Sequence, residues 1–443
     1  MVTAMSVQIP LRVANTLLNA LKGGVVPRTG LGHITVGRKD EIDALLHDVA
    51  TIADGGASFR FVVGKYGAGK SFLLQTLRSY AMERGFVVVD ADLSPERRLV
   101  GNRGEGLNTY RELMKNLSVK TSPDGGALPL ILQKWITALK LEAMASGIDA
   151  DSPMLSGAVE LRIHETIAEL ETIVHGFDFA KIISIYWNAV DTGDDERRSC
   201  ALKWLRGEYS TKTEAKKELG VSSIITDDDW YEYVKLFAMF AVRAGYAGML
   251  MLVDELVNIY KIPNSISRQY NYEKILTIYN DVMQGKAQYI GVIMGGTPQC
   301  VEDPRRGVFS YEALKSRLES SRFNDGTTRD LLSPIITLKT LTPEEMYVLI
   351  EKLAAIHGQV YSWEPRVVAE DLSFFITTEY ARVGADTNIT PREIIRDFIE
   401  ILNILYQYPG KSMRSILFGE DFAYASSDEN DAKLHEEFRG FEI

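Results

Sequence analysis

The octapeptide Gly64-Lys65-Tyr66-Gly67-Ala68-Gly69-Lys70-Ser71 has the spacing GxxxxGK[ST], which suits a loop that holds a polyphosphate. Gly64, Gly67 and Gly69 let the backbone pass close to the phosphates, with successive N–H groups turned toward them. Lys70 would neutralise the β and γ phosphates, and Ser71 would ligate Mg²⁺. Lys65, Tyr66, Ala68 and Phe72 complete the expected nucleotide contact. A second chemical group, Asp254-Glu255, ends the apolar run Met249-Leu250-Met251-Leu252-Val253. In this Walker B pattern Asp254 would hold the Mg²⁺ hydration shell. Glu255 would polarise a water for in-line attack on the γ phosphate. The bland alternatives are a structural glycine turn for the first motif and two acids capping a strand for the second. Together the motifs favour ATP binding, and the second acid favours hydrolysis over binding alone.

The elements around these residues give the motifs their context. Phe59 to Val63 reads as a buried strand before the loop, and Ser71 to Leu77 as an amphipathic helix after it. Further strands are expected at Phe86 to Asp92, Met249 to Asp254, Tyr289 to Met294 and Ile335 to Leu338. Short buried strands alternating with helices predict an α/β fold, a P-loop parallel sheet sandwiched by helices. If Tyr289 to Met294 lies between the loop strand and the acid strand, Thr297 at its end would face the γ phosphate. Roughly 150 residues separate Asp92 from Met249, far more than a crossover needs. They predict a large helical insertion, with helices near Asn108 to Leu117, Leu130 to Met144, Gly157 to Ile173, Phe179 to Val190 and Asp229 to Ala244. Near the C-terminus, Thr342-Pro343-Glu344-Glu345 and Thr390-Pro391-Arg392-Glu393 each place Thr at an N-cap, Pro at the first helical position and Glu at the third. They open a C-terminal helical lid, whose first helix is expected to stop at Gly358.

The expected division is an N-terminal helix and loop (1–33), a first core part with the phosphate loop (34–104), the helical insertion (105–245) and a second core part (246–340). The helical lid (341–410) and an acidic, aromatic tail (411–443) follow. From Ser426 the tail has six carboxylates against two basic side chains, a frayed end or a short docking peptide. The chain has 443 residues, 46% hydrophobic and 25% charged, as ordinary globular proteins have. A net charge of −11 gives no sign of a general nucleic-acid coat. Cys200 and Cys300 lie far apart and form no CxxC pair, so neither a disulfide framework nor a zinc site is expected. No stretch approaches about twenty apolar residues, so no membrane span is expected, and the cytoplasm is the expected compartment.

The order of motifs resembles that of the AAA+ ATPases, within the clade of origin-recognition and initiator-type proteins. Ile34-Thr35-Val36-Gly37-Arg38 resembles the box that packs beside the adenine, which implies nucleotide contact for Gly37 and Arg38. Thr297 matches the first sensor. Thr390-Pro391-Arg392 resembles the start of the second-sensor helix, which implies a γ-phosphate contact for Arg392; the alternative is a surface arginine of a first helical turn. Arg317 and Arg322 stand where the family places an arginine finger that reaches a neighbouring subunit, with helix salt bridges as the alternative. Longer phrases, Val89 to Leu99, Lys203 to Glu208 and Gly307 to Leu318, are similar to the ATPases of bacteriophage-exclusion (BREX) defence systems, of the short BrxD-like type. That resemblance covers nearly the whole chain. It implies an ATPase encoded beside a DNA methyltransferase, a phosphatase-like protein and, in several systems, a helicase. If Arg317 or Arg322 is a finger, the Mg²⁺-dependent site is shared and the chain must form a homo-oligomer to hydrolyse ATP.

Three smaller readings remain. Thr213 to Ser222 echoes the first helix and turn of a helix-turn-helix unit, but Asp227, Asp228 and Asp229 would face DNA phosphates, so a protein-contact role is expected there. Arg97, Arg98, Arg103 and Arg111 are the better candidates for a nucleic-acid track, against solvated charges. The rivals to a DNA-associated remodelling ATPase are a nucleotide-gated switch with slow turnover and a P-loop kinase. A kinase has little use for a water-activating Glu255 or a sensor-bearing lid.

Overall fold

The structure, a computed structural model, describes residues 9–150, 152, 154–171, 174–319, 329–382 and 390–418. The chain divides into two compact units, Arg38–Thr340 and a second made of Met1–Gly37 with Leu341–Ile443.

The larger unit is built on β1 (Ala57–Val63), β2 (Val87–Asp92), β3 (Met249–Asp254), β4 (Ile290–Gly296) and β5 (Ile335–Thr337), in the order β2-β3-β4-β1-β5 with every pair parallel. All five strands fall within two residues of their expected bounds, and β4 lies between β1 and β3. Alternate side chains along each strand point to opposite faces, and both faces are buried. Val62, Val88, Leu250, Leu252 and Ile293 pack with Leu45, Val49 and Ile52 of helix Lys39–Ala53 and with Leu73, Leu74 and Leu77 of helix Lys70–Glu83. Phe59, Phe61, Val89, Met251, Val253 and Val292 line the other face, where Tyr272, Ile275 and Ile278 of helix Ser265–Met283 lie in the same core.

The stretch between β2 and β3 is helical, as expected, and its core is continuous with that second face. Its helices are Glu105–Lys115, Leu128–Ala145, Met154–Glu171, Gly176–Thr192, Asp195–Leu205, Lys212–Leu219 and Trp230–Arg243. Tyr110, Trp135, Trp204, Trp230 and Phe237 are buried in one cluster with the strand residues. Three of these side chains pass a polar atom to backbone carbonyls: Tyr110 Oη donates to Leu205 O at 2.7 Å, Trp204 Nε1 to Ser223 O at 2.8 Å and Trp230 Nε1 to Leu99 O at 3.0 Å. Helix Asp195–Leu205 carries too many charges for an apolar stripe to announce it. Its start signal is Asp194, whose side chain accepts from Arg197 N–H at 2.9 Å. The helix-turn-helix echo ends at Gly220, and residues 221–226 form no helix; Val221 and Ile225 are buried in the core.

In the smaller unit helix Leu11–Lys22 packs on helices Pro343–Tyr361 and Pro391–Gln407. Ala14, Leu17 and Leu18 are buried, as are Leu349, Ile350 and Leu353 of the second helix and Ile394, Phe398 and Leu402 of the third. Both expected capping boxes are formed, by Thr342 with Glu345 and Thr390 with Glu393. The first of these helices does not stop at Gly358. It continues to Tyr361, because Gly358 serves a close approach: a Cβ there would lie 2.8 Å from Trp363 O and 2.9 Å from Pro365 Cδ. Buried His357 accepts from Trp363 Nε1–H at 3.0 Å through Nδ1. Nε2 therefore carries its proton and donates to Asn403 Oδ1 at 3.2 Å. Helix Ala369–Arg382 went unread in the sequence; Phe375 on it packs against Phe398, with ring centroids 5.3 Å apart.

Candidate active site

β1 leaves the core at Gly64, whose N–H donates to Gly296 O at 3.1 Å. The chain then turns through two left-handed glycines, Gly67 at φ 76° and Gly69 at φ 92°, into helix Lys70–Glu83. The loop thus delivers the N–H groups of a first helical turn, a favourable place for anionic oxygens. Lys70 Nζ donates to Gly64 O at 2.9 Å and Lys65 O at 3.0 Å, which holds the ammonium over the loop. Lys65 and Tyr66 are exposed, Ala68 is buried and Phe72 is half-buried.

Gly37 and Arg38 fall in different units. Gly37 ends the N-terminal segment of the smaller unit, where a Cβ would meet the Glu345 carboxylate at 2.5 to 2.7 Å. Arg38 opens the larger unit. Its buried guanidinium donates through Nη2 to Ala68 O and to Lys339 O, each at 2.9 Å, and so ties the phosphate loop to the segment after β5. Buried Glu41 stands 3.8 Å from Arg38 Nη1 and also accepts from Arg329 Nη2 at 2.8 Å.

Asp254 closes the site from the neighbouring strands. Its Oδ2 accepts from Ser71 Oγ at 2.6 Å, and its Oδ1 accepts from Glu255 N–H at 2.8 Å. One hydroxyl and one carboxylate this close form the hard-oxygen pair that Mg²⁺ takes when phosphate oxygens and waters supply the rest of its shell. Room for the carboxylate comes from β4: a Cβ at Gly295 would lie 2.3 Å from Asp254 Oδ1. Among the described residues no group of three or more His, Cys, Asp and Glu side chains is placed to hold a metal by protein alone.

Glu255 is exposed and left-handed, at φ 62°. That conformation costs an ordinary residue about 1–2 kcal/mol. Hydrogen bonds on both sides hold it. The carbonyl accepts from Asn258 N–H at 3.0 Å and from Asn258 Nδ2 at 3.4 Å, and the next N–H, of Leu256, donates to Gly295 O at 3.1 Å. Asp92 pairs in register with Asp254 across β2 and β3. Although its side chain reaches solvent, partial loss of hydration, followed by the charges of Asp254, Asp90 and Glu255, pushes its carboxyl up to about 6, against the pull of Arg97.

Thr297 follows β4 as the N-cap of helix Pro298–Glu302. Its Oγ1 accepts from Cys300 N–H, and its own N–H donates to Cys300 Sγ at 3.1 Å. Gly64, Ser71, Asp254 and Gly295–Thr297 thus gather at the carboxyl ends of three adjacent strands, where open α/β sheets bind ligands. Arg392 belongs to the smaller unit, with its Cδ 3.7 Å from where a Cβ of Gly24 would stand. Arg317 is exposed on helix Glu312–Leu318 and donates to Ala313 O at 2.6 Å. Arg322 and the acidic run from Ser426 lie outside the described residues, while the expected tail begins with helix Met413–Phe418. Of the proposed basic track, Arg111 donates to Gly207 O at 2.7 Å and Arg97 to Asp92 O at 3.0 Å, with Glu112 3.9 Å from Arg97 Nη1.

The family model described as BREX system ATP-binding protein BrxC/D matches residues 9–420, from the first helix of the smaller unit through both halves of the chain. The chain belongs to the BREX system ATP-binding protein BrxC/D family. The family description gives this BrxC/D chain ATP binding and a place in BREX defence. No curated protein matches the sequence. No helix among the described residues of this BrxC/D chain is long and apolar enough to cross a membrane.

Sequence reasoning missed Gly295 and Asn258. Gly295 stood in the legible run Gly295-Gly296-Thr297, but its reason, the Asp254 carboxylate, belongs to another strand. Nothing in the sequence marks Asn258.

Proposed function

We propose that this BrxC/D chain is a Mg²⁺-dependent ATPase of the short, BrxD-like type. On this reading homo-oligomeric assemblies couple turnover to remodelling or loading of a partner on DNA, in the cytoplasm. The observation that carries the reading is the 2.6 Å hydrogen bond between Ser71 of the phosphate loop and Asp254, with Glu255 the next residue. The loop N–H groups and Lys70 bind the β and γ phosphates, and Ser71 and Asp254 hold the cation. The bound Mg²⁺ supplies charge neutralisation to the phosphates. Glu255 accepts the proton of the water that attacks the γ phosphorus; the bond to the β–γ bridging oxygen breaks, and ADP and phosphate leave. Thr297 orients the γ phosphate from its cap, Arg392 supplies a second sensor, and Arg317 or Arg322 acts on a neighbouring copy. Arg97, Arg98 and Arg103 are the residues proposed to meet DNA. A methyltransferase or helicase of the same defence system is the class of protein partner.

The test is ATP turnover of the purified chain with and without double-stranded DNA at low salt, with Glu255→Gln as the blank. Turnover that DNA raises severalfold is the expected result. A slow rate indifferent to DNA would favour a nucleotide-gated switch.

A further inference from the structure

Glu255 needs a left-handed backbone to leave β3 where it does, and its hydrogen bonds come from two quite different sources. One is the Asp254 carboxylate, through Glu255 N–H at 2.8 Å. The other is Asn258, which brings both its backbone N–H, at 3.0 Å, and its side-chain amide, at 3.4 Å, to Glu255 O. The same amide donates at 2.8 Å to Leu93 O, the first residue after β2. Leu93 N–H in turn donates to Asp254 O at 3.0 Å. Asn258 is half-buried, and its side-chain amide bridges the ends of β2 and β3 through Leu93 O and Glu255 O.

We infer that Asn258 is a positioning residue for hydrolysis: its side-chain amide fixes the backbone of Glu255, and through it the direction of the carboxylate, by joining Glu255 O to Leu93 O. This rests on the proposed role of Glu255 as the base. A left-handed glutamate relaxes toward the ordinary right-handed or extended regions unless its neighbours over-determine it. Removing one amide that serves two carbonyls loosens the residue that must point at the water and leaves the loop, Lys70 and Ser71 as they are. The link to Leu93 also puts the segment 93–103, with Arg97, Arg98 and Arg103, in mechanical contact with the base.

The experiment is a double-mutant cycle on the full chain, with single-turnover ATP hydrolysis and ATP affinity measured for the parent, Asn258→Ala, Glu255→Gln and the pair. One lost hydrogen bond of ordinary strength corresponds to about a two- to tenfold fall in the hydrolysis rate. That fall is expected in Asn258→Ala with ATP affinity unchanged, and no further fall is expected when Asn258→Ala is added to Glu255→Gln. An equal loss in both backgrounds, weakened ATP binding, or an unchanged rate would each overturn the inference. If Asn258→Ala does not fold, Asn258→Asp, of the same shape but without the amide donors, takes its place in the cycle. A parent indistinguishable from Lys70→Ala in turnover would instead refute the ATPase reading itself, a failure visible before any Asn258 variant is made.

Discussion

Lys70, Glu255 and Gly295 each carry a different part of the proposed chemistry, and substitution separates them. Lys70→Ala removes the cation that the loop holds over its own carbonyls, and ATP affinity should fall below detection by equilibrium titration. Glu255→Gln keeps the shape and the left-handed backbone but cannot take a proton. It should bind ATP as the parent does and lose at least about a hundredfold in turnover. Gly295→Ala would drive a methyl group into the Asp254 carboxylate, 2.3 Å from Oδ1 where real side chains essentially never approach. Asp254 must move off Ser71, so the variant should need a much higher Mg²⁺ concentration for half-maximal turnover while still binding nucleotide in EDTA. An unchanged Mg²⁺ dependence would remove Gly295 from the cation site.

At the scale of elements, the sheet was readable because each of its strands is a run of apolar residues between turn signals, and the phosphate loop was readable because its spacing is itself the mechanism. Helix Asp195–Leu205 and helix Ala369–Arg382 were not, since one is dominated by charges and the other mixes aromatic and β-branched residues. Gly358 misled for a related reason: a glycine in a helix can mark its end or a crowded neighbour, and only the neighbour, Trp363 with Pro365, distinguishes the two. Arg38 shows the same limit at the site. Resemblance implied a nucleotide contact for it, but its tie between Ala68 O and Lys339 O joins residues 271 apart, a pairing no local pattern carries. Arg38→Ala should weaken ATP binding by about tenfold or more, the scale of a lost charge-assisted hydrogen bond. Arg38→Lys should recover only part, because the shorter lysine does not bring its ammonium to the place from which Nη2 serves both carbonyls.

At the scale of the whole molecule, two predictions concern assembly and acid stability. If Arg317 completes a neighbour's site, Arg317→Ala should lose about a thousandfold in rate. Mixing it with Glu255→Gln should restore part of the activity, and a mixture no better than its components would place the arginine outside the chemistry. In the helical unit, burial holds His357 below its usual 6.5, with the Asn403 hydrogen bond pulling the other way. The unfolded chain therefore takes up a proton before the folded one does, so stability is full above about pH 6.5 and falls as pH drops below it. Melting followed from pH 8 to pH 5 should show that loss, and His357→Gln should flatten it. Finally, the strand order has a consequence for synthesis. The first two strands to leave the ribosome, β1 and β2, are not neighbours; their partners are β4 with β5, and β3. At about 5–20 residues per second, the stretch from Asp92 to Met249 takes roughly 8–30 s to translate. For that interval the nascent chain carries two apolar strands with no partner, the period in which a folding helper has most to shield.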